Sequence, residues 1–271
     1  MRIVHFSDLH FAAWPDSPRA LFDKRALGSF NYLVRRRAFV HEEWIDTAWD
    51  RIAALSPDCL VCSGDITCVG SPAEFARAVP RLTALAERVA CPLLYVPGNH
   101  DAYVKDRRCR EALERAFRDV NAGRWDLAQL PVRFRLANVS FLLVNESLPT
   151  GPFSSGGRLS PPAADAFERW LSEPRDAGEC RVLVGHFPTR GPDGAALSER
   201  RRLKGGDAIL RALTGGRLDL SLCGHIHTPY CLHEPGPGME VSAGALTVAG
   251  SLDIIDIDSA GHVGQQSVSI R

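Results

Sequence analysis

The chain has 271 residues, with 32 Lys+Arg against 32 Asp+Glu and 45% hydrophobic residues. A formal net charge of +0 argues against a protein whose affinity rests on a general positive field, such as a bulk nucleic-acid coat. No apolar run reaches about 18 residues, so no transmembrane helix is expected, and MRIVHFSDLH has neither the charged region nor the long apolar stretch of a signal peptide.

Arg2–Phe6 reads as the first strand. Strands Cys59–Cys62 and Leu93–Val96 follow, alternating with helical patterns at Glu42–Leu55, Pro72–Ala90 and Asp106–Asn121. The second half is richer in strands: Arg133–Leu136, Ser140–Asn145, Arg181–Gly185, Leu218–Cys223, Glu240–Ala243, Leu252–Ile257 and Val263–Ser269. It holds two helical patterns, Pro161–Ser172, opened by a proline pair suited to a first turn, and Gly206–Thr214. The alternation predicts one α/β domain over 1–271 built on two sheets. Residues 11–40 form a long insertion between the first strand and the first long helix, where roughly two to six residues are usual.

Eight cysteines lie mostly in apolar runs such as DCLVCSGD and LSLCGH, as expected of buried thiols in a reducing, cytoplasmic setting. Cys59 and Cys62 have redox spacing, but residues three apart on a strand point to opposite faces, so both read as core.

The chemistry gathers where strands stop. These ends supply Asp8 and His10, then Asp65, then Asn99, His100 and Asp101, then His186, then His225 and His227. The rim beyond the strand ends is where α/β sheets bind ligands. Gly64, Gly98, Gly185 and Gly224 are expected to let the backbone turn there. With His100 and Asp101 set aside, two Asp, one Asn and four His suit Mn²⁺ or Fe²⁺, with Zn²⁺ as an alternative. Seven such residues exceed one tetrahedral site and suit two divalent ions sharing a carboxylate, a pair used for in-line displacement at phosphorus.

In order, Asp-x-His, Gly-Asp, Gly-Asn-His-Asp, Gly-His and Gly-His-x-His resemble the motif series of the calcineurin-like metallophosphoesterase superfamily, from Asp8 to His227. The resemblance implies a four-layer α/β/β/α sandwich of two mixed sheets with a dinuclear site at one edge. It implies that Asp8, His10 and His227 hold one metal, that Asn99, His186 and His225 hold the other, and that Asp65 bridges them. His100 would face the substrate, with Asp101 orienting its ring. Relatives often carry Glu where Asp101 stands and His-His-Pro-Pro where this chain has Gly185-His186-Phe187-Pro188; neither difference removes a ligand.

The implied reaction is hydrolysis of a small phosphodiester, pyrophosphate or nucleotide-type substrate by hydroxide between two metals, with His100 as general acid. Neither a nucleophile elbow nor a P-loop is visible, so a phosphoenzyme is not expected. Length and short loops resemble the compact bacterial branch related to cyclic-nucleotide phosphodiesterases, and no specific nucleic-acid binding is expected. A non-catalytic scaffold on the same fold is the alternative from another class.

Outside the motifs, His5, His41, His233 and His262 read as surface or satisfied core histidines, and the five tryptophans as packing residues. The run Arg35-Arg36-Arg37 and the stretch Glu199-Arg200-Arg201-Arg202 could meet phosphates, although solvated faces are the simpler reading. Leu27, Phe30 and Leu33/Val34 recur at helical spacing ahead of the triple arginine, a basic amphipathic pattern. Packing on the sandwich is the simpler reading of that face. The other is peripheral contact of 23–40 with the inner face of a membrane. This Lys-Arg-x-Leu-Gly-x-x-Asn segment, with Gly-Asn-His-Asp-x-Tyr at 98–103, is similar to membrane-associated UDP-2,3-diacylglucosamine pyrophosphatases of the superfamily.

Overall fold

The computed structural model describes residues 1–14, 20, 22–31, 39–233 and 236–271. In chain order the first half holds β1 (Arg2–Phe6), α1 (Lys24–Asn31), α2 (Trp44–Leu55), β2 (Cys59–Cys62), α3 (Pro72–Val89), β3 (Leu93–Tyr95), α4 (Arg107–Val120), β4 (Val132–Leu136) and β5 (Val139–Leu143). The second half holds β6 (Gly157–Arg158), α5 (Pro161–Ser172), β7 (Cys180–Val184), β8 (Leu203–Lys204), α6 (Asp207–Thr214), β9 (Leu220–Cys223), β10 (Tyr230–Leu232), β11 (Met239–Ser242), α7 (Leu246–Ala249), β12 (Ser251–Ile257) and β13 (Val263–Ser269).

One sheet runs β13-β12-β1-β2-β3 and the other β10-β11-β9-β7-β5-β4. Both are mixed. β1, β2 and β3 are parallel, as are β5, β7, β9 and β11, while β12, β13, β4 and β10 run antiparallel to their neighbours. The parallel strands are buried along nearly their whole length because both of their faces are covered.

Three cores separate four layers. On the outer face of the first sheet, Val4, Phe6, Leu60 and Tyr95 pack against Ile45 and Ile52 of α2, Phe75 and Leu82 of α3, and Phe117 of α4. Between the sheets, Ile3, Val61, Leu94 and Ile255 meet Phe141, Val182, Leu222 and Val241. On the far side, Leu142 and Leu183 pack against Phe167 and Trp170 of α5 and Ile209 and Leu213 of α6. Full burial of each such side chain contributes roughly 1.5–3 kcal/mol. The helices/sheet/sheet/helices order is the expected sandwich.

The division of β2 follows strand periodicity. Cys59 and Val61 enter the inter-sheet core, while Leu60 and Cys62 enter the helix-side core. All eight cysteines are free thiols. The starts of α3, α4 and α5 carry side-chain caps: Ser71 and Glu74 form a reciprocal capping box at α3, Asp106 accepts from Arg108 N and Cys109 N at α4, and Ser160 accepts from Ala163 N at α5.

Short strands and helices among the described residues escaped the periodicity reading. The two-residue strands β6 and β8 and the three-residue β10 are too short to show alternation, and α7 is a single turn. Within the long insertion, α1 covers Lys24–Asn31. The side chains of Leu27 and Phe30, and all of 32–38 with Leu33, Val34 and the triple arginine, lie outside the described residues. Among the described residues, no helix is long and apolar enough to cross a membrane.

Candidate metal centre and active site

Past Phe6 and Cys62 the regular β1–β2 pairing gives way to irregular hydrogen bonds. Asp8 N donates to Gly64 O (2.9 Å), His10 N to Asp65 O (3.0 Å) and Phe11 N to Ile66 O (2.9 Å). Asp8, His10 and Asp65 sit in left-handed backbone conformations, with φ of 55°, 51° and 53°; His225 and His227 do the same at 69° and 32°. A non-glycine residue there costs about 1–3 kcal/mol, and such strain concentrates at functional sites.

The glycines act differently from expectation. Of the four, only Gly64 has a positive φ, at 104°. The others provide room. A Cβ on Gly98 would collide with Asp65 Oδ1, one on Gly224 with Ser7 Oγ and Asp8 Oδ2, and one on Gly185 would lie 2.7 Å from Glu146 Oε2. The ligand-type residues themselves make the turns, and glycines let the carboxylates pass.

The seven ligand-type residues converge, with His100 beside them. Asp8 Oδ1 lies 3.5 Å from His10 Nε2 and 3.2 Å from His227 Nε2, and these two nitrogens are 2.9 Å apart. Asp65 Oδ2 is 3.4 Å from His186 Nε2, and Asp65 Oδ1 accepts from His100 N at 2.7 Å. Asn99 Oδ1 is 3.3 Å from His186 Nε2 and 2.8 Å from His225 Nδ1. Two triads arise, Asp8–His10–His227 and Asp8–Asp65–His186. The carboxylate common to both is Asp8, with Asp65 beside it in the second.

Backbone carbonyls fix three imidazoles. His10 Nδ1 faces Thr67 O (3.3 Å), His186 Nδ1 faces Ser63 O (2.6 Å) and His225 Nε2 faces Arg201 O (3.1 Å). A carbonyl only accepts, so each ring donates there and turns its other nitrogen towards the shared space.

Electrostatics agree. Burial alone would raise the Asp8 and Asp65 pKa values. Contacts with the His10 and His227 rings outweigh it for Asp8, and the His186 and His100 charges do so for Asp65, so both stay below the ordinary carboxylate range. Burial would lower His186, but the Asp65 charge and contact hold it up to about 10. Burial and then the His186 charge push His225 down to about 3. Asp8 Oδ1 is buried without a hydrogen-bond partner. Ionised buried carboxylates, converging ring nitrogens and that orphaned oxygen fit divalent cations of the N/O-ligated kind.

His100 stands at the edge of this cluster. Its Nδ1 donates to Cys68 O at 2.5 Å, its ring stacks on Tyr103 (centroids 5.2 Å apart, planes 18° apart), and it meets His10 edge-on at 5.0 Å. The part expected of Asp101 is corrected. Its buried carboxylate accepts from Gly98 N (2.9 Å), Thr67 N (3.0 Å), Thr67 Oγ1 (2.8 Å) and Tyr95 Oη (2.9 Å), tying the loops after β2 and β3 together. The Cys68 carbonyl takes the position on the His100 ring assigned to Asp101 in sequence. Burial and the Asp65 charge push Asp101 up to about 6.

Sequence reasoning passed over Cys68, which acts through its backbone and leaves no residue-type signal, and the stacking of Tyr103, whose only clue is its place three residues after His100. The histidines set aside behave as expected where the contacts are described. His5 is buried against Ser63 Oγ at 2.8 Å, His41 pairs with Glu43 and stacks on Trp44, and His262 pairs with Asp258. Arg202 pairs with Glu199, but Arg200 and Arg201 line a cavity beside His100.

Comparison with known proteins fits this geometry. One component of the nuclease SbcCD of Escherichia coli (strain K12) is 25% identical over 114 residues, 42% of this chain and 24% of that protein. The chain thus spans about a quarter of the length of the curated relatives it matches. A dimetal phosphatase from Danio rerio shares the fold with a TM-score of 0.63 at 14% identity, covering 100% of this chain and 99% of that one. A purple acid phosphatase from yellow lupin (Lupinus luteus) seeds gives 0.59 at 12% identity, covering 99% and 53%. Residues 1–229 match the calcineurin-like phosphoesterases, and the chain belongs to that family of metal-dependent phosphoric ester hydrolases.

Proposed function

We propose that this chain hydrolyses a small phosphodiester or pyrophosphate with two divalent ions. Asp8, His10 and His227 would hold one ion; Asn99, His186 and His225 would hold the other, with Asp65 alongside both groups. The observation that carries this reading is the convergence of His10, His227 and Asp8 Oδ1 within 3.5 Å, three ligand-type atoms turned towards one shared space. Bound divalent ions supply charge neutralisation at the phosphoryl oxygens and activation of water.

The chain's own groups do the rest. Because His100 Nδ1 donates to Cys68 O, its second proton resides on Nε2, where it can be given to a leaving oxygen as general acid. Tyr103 stacked on the ring and the His100 amide bonded to Asp65 fix that side chain against the cluster. The Cys68 thiol is buried and donates to His10 O at 3.0 Å, which makes it part of the scaffold rather than a nucleophile.

One observation favours a second reading, an acylated nucleotide-sugar pyrophosphate met at a membrane surface. Trp14, Phe22, Phe39 and Phe153 are large apolar side chains left exposed, the first three within 11–40 and the last on the wall of the cavity beside His100.

Protein stripped of metal and reloaded with Mn²⁺ should hold about two ions per chain by mass spectrometry. It should hydrolyse members of a panel of cyclic nucleotides, bis-p-nitrophenyl phosphate, nucleotide sugars and UDP-diacylglucosamine. Saturation at one ion with full activity would refute the two-ion reading. Full loading with no turnover on the panel would return the chain to the scaffold alternative.

A further inference from the structure

A cavity of about 400 Å³ opens beside His100 and Asn99, contiguous with the metal-type cluster. Lys24, Arg200 and Arg201 line it, together with Tyr103 and Phe153, and no Asp or Glu does among the described residues. Lys24 projects from the first turn of α1, with Nζ 4.3 Å over the Tyr103 ring, donating to Thr150 Oγ1 (2.9 Å) and Ser154 O (3.2 Å). An ammonium has three N–H donors. The third has no partner among the described residues. No carboxylate pairs with the Arg200 or Arg201 guanidinium among the described residues.

This wall is built in. Arg25 is buried and binds Asp23 bidentately, with Asp106 3.5 Å away at the N-cap of α4, so α1 is anchored immediately beside Lys24. One turn further on, a Cβ on Gly28 would lie 2.7 Å from Val69 Cγ1 and 2.8 Å from the Tyr103 hydroxyl. The missing side chain lets α1 sit directly on the Tyr103 cluster. Ser155 N and Gly157 N donate to Arg200 O and Arg202 O, and His225 Nε2 donates to Arg201 O, tying the arginine loop to the cluster. Burial lowers the Lys24 pKa from the ordinary lysine value while the Asp65 charge opposes it, so the ammonium is within electrostatic reach of the site.

We infer that this cavity is a subsite for a second phosphate on the leaving-group side of His100, that Lys24 is its specificity-determining residue, and that the substrate class is the pyrophosphate diester. The inference rests on the phosphohydrolase reading above. In the reaction one water is consumed. Its oxygen forms the new bond to one phosphorus, the bond from that phosphorus to the bridging oxygen breaks, and the bridging oxygen leaves with the second phosphate. The protons of the water pass to the products and solvent. Lys24, Arg200 and Arg201 hold the phosphate that departs, and the Tyr103 and Phe153 rings flank what it carries.

The test compares parent, Lys24→Met and Lys24→Arg, loaded with Mn²⁺, on ADP-ribose, a pyrophosphate diester, and on bis-p-nitrophenyl phosphate, a diester with no second phosphate. Loss of one charge-assisted contact should lower the ratio of kcat/KM for ADP-ribose over the simple diester by ~10–100-fold in Lys24→Met, chiefly through KM. Lys24→Arg should recover part of it. An unchanged ratio would overturn the subsite while leaving the phosphohydrolase reading standing. If the parent turns over neither substrate, that reading fails instead, and calorimetric titration with inorganic pyrophosphate still reads the subsite. Weaker binding by Lys24→Met than by the parent supports it, and equal binding overturns it.

Discussion

Replacing Glu74 with Gln should stabilise the protein relative to the parent by an amount that grows as pH rises. Glu74 is buried at the start of α3, and burial pushes its carboxyl up to about 7 against backbone hydrogen bonds that oppose the shift. A folded pKa above the unfolded value means that the group's stabilising contribution is fully present below about 4.5 and is lost as pH climbs through 7. The interval of about 2.5 pKa units corresponds to roughly 3 kcal/mol. Glutamine does not titrate there. The backbone bonds that Glu74 accepts from Val69 N (2.9 Å) and Ser71 N (3.1 Å) end on the same oxygen, Oε2, which a glutamine carbonyl oxygen can replace, while any loss of the further backbone bond with Ala13 adds an offset that does not vary with pH. Urea unfolding of parent and Glu74→Gln across pH 4 to 8 therefore should give a difference that rises by roughly 3 kcal/mol between pH 4.5 and 7 and then levels off. A difference independent of pH, or one that falls with pH, would refute the assignment of a neutral buried carboxyl to this cap.

His100→Asn should keep its full metal content yet lose turnover by roughly 10²–10⁴-fold, and lose less on a substrate whose leaving group needs no proton; loss of metal from this variant would mean that His100 serves the ions instead. Gly98→Ala places a methyl group against Asp65 Oδ1, so Mn²⁺ affinity measured by equilibrium dialysis should weaken by roughly 10–100-fold with the fold retained in circular dichroism. Unaltered affinity would show that the Asp65 carboxylate can move aside without consequence.

The long elements and the polar strand ends were legible because they rest on local rules. Apolar runs of four to seven residues predict strands wherever they fall, and the chemistry of Asp8, Asp65, Asn99 and the histidines shows in residue type alone. Three things were hidden because they depend on what the fold brings near. Lys24 and Arg201 are about 180 residues apart, and nothing in either segment announces a common cavity. Asp101 stands next to His100 in sequence, yet its carboxylate turns back to Gly98 and Thr67, because the buried backbone donors there need an acceptor. Gly98, Gly185 and Gly224 looked like turn residues, whereas their purpose is clearance for carboxylates that arrive from other parts of the chain.

Asp8, His10, Asp65 and Asn99 issue from the first sheet, and His186, His225 and His227 from the second. With the proposed ligands drawn from both halves, a bound cation would be a rivet through the seam of the sandwich. Its binding free energy is then also the free energy of holding one sheet against the other. Substitutions deep in the apolar interface, far from any ligand, would loosen the grip on metal by letting the two halves slide. Conversely, free metal concentration would set how firmly the halves stay locked.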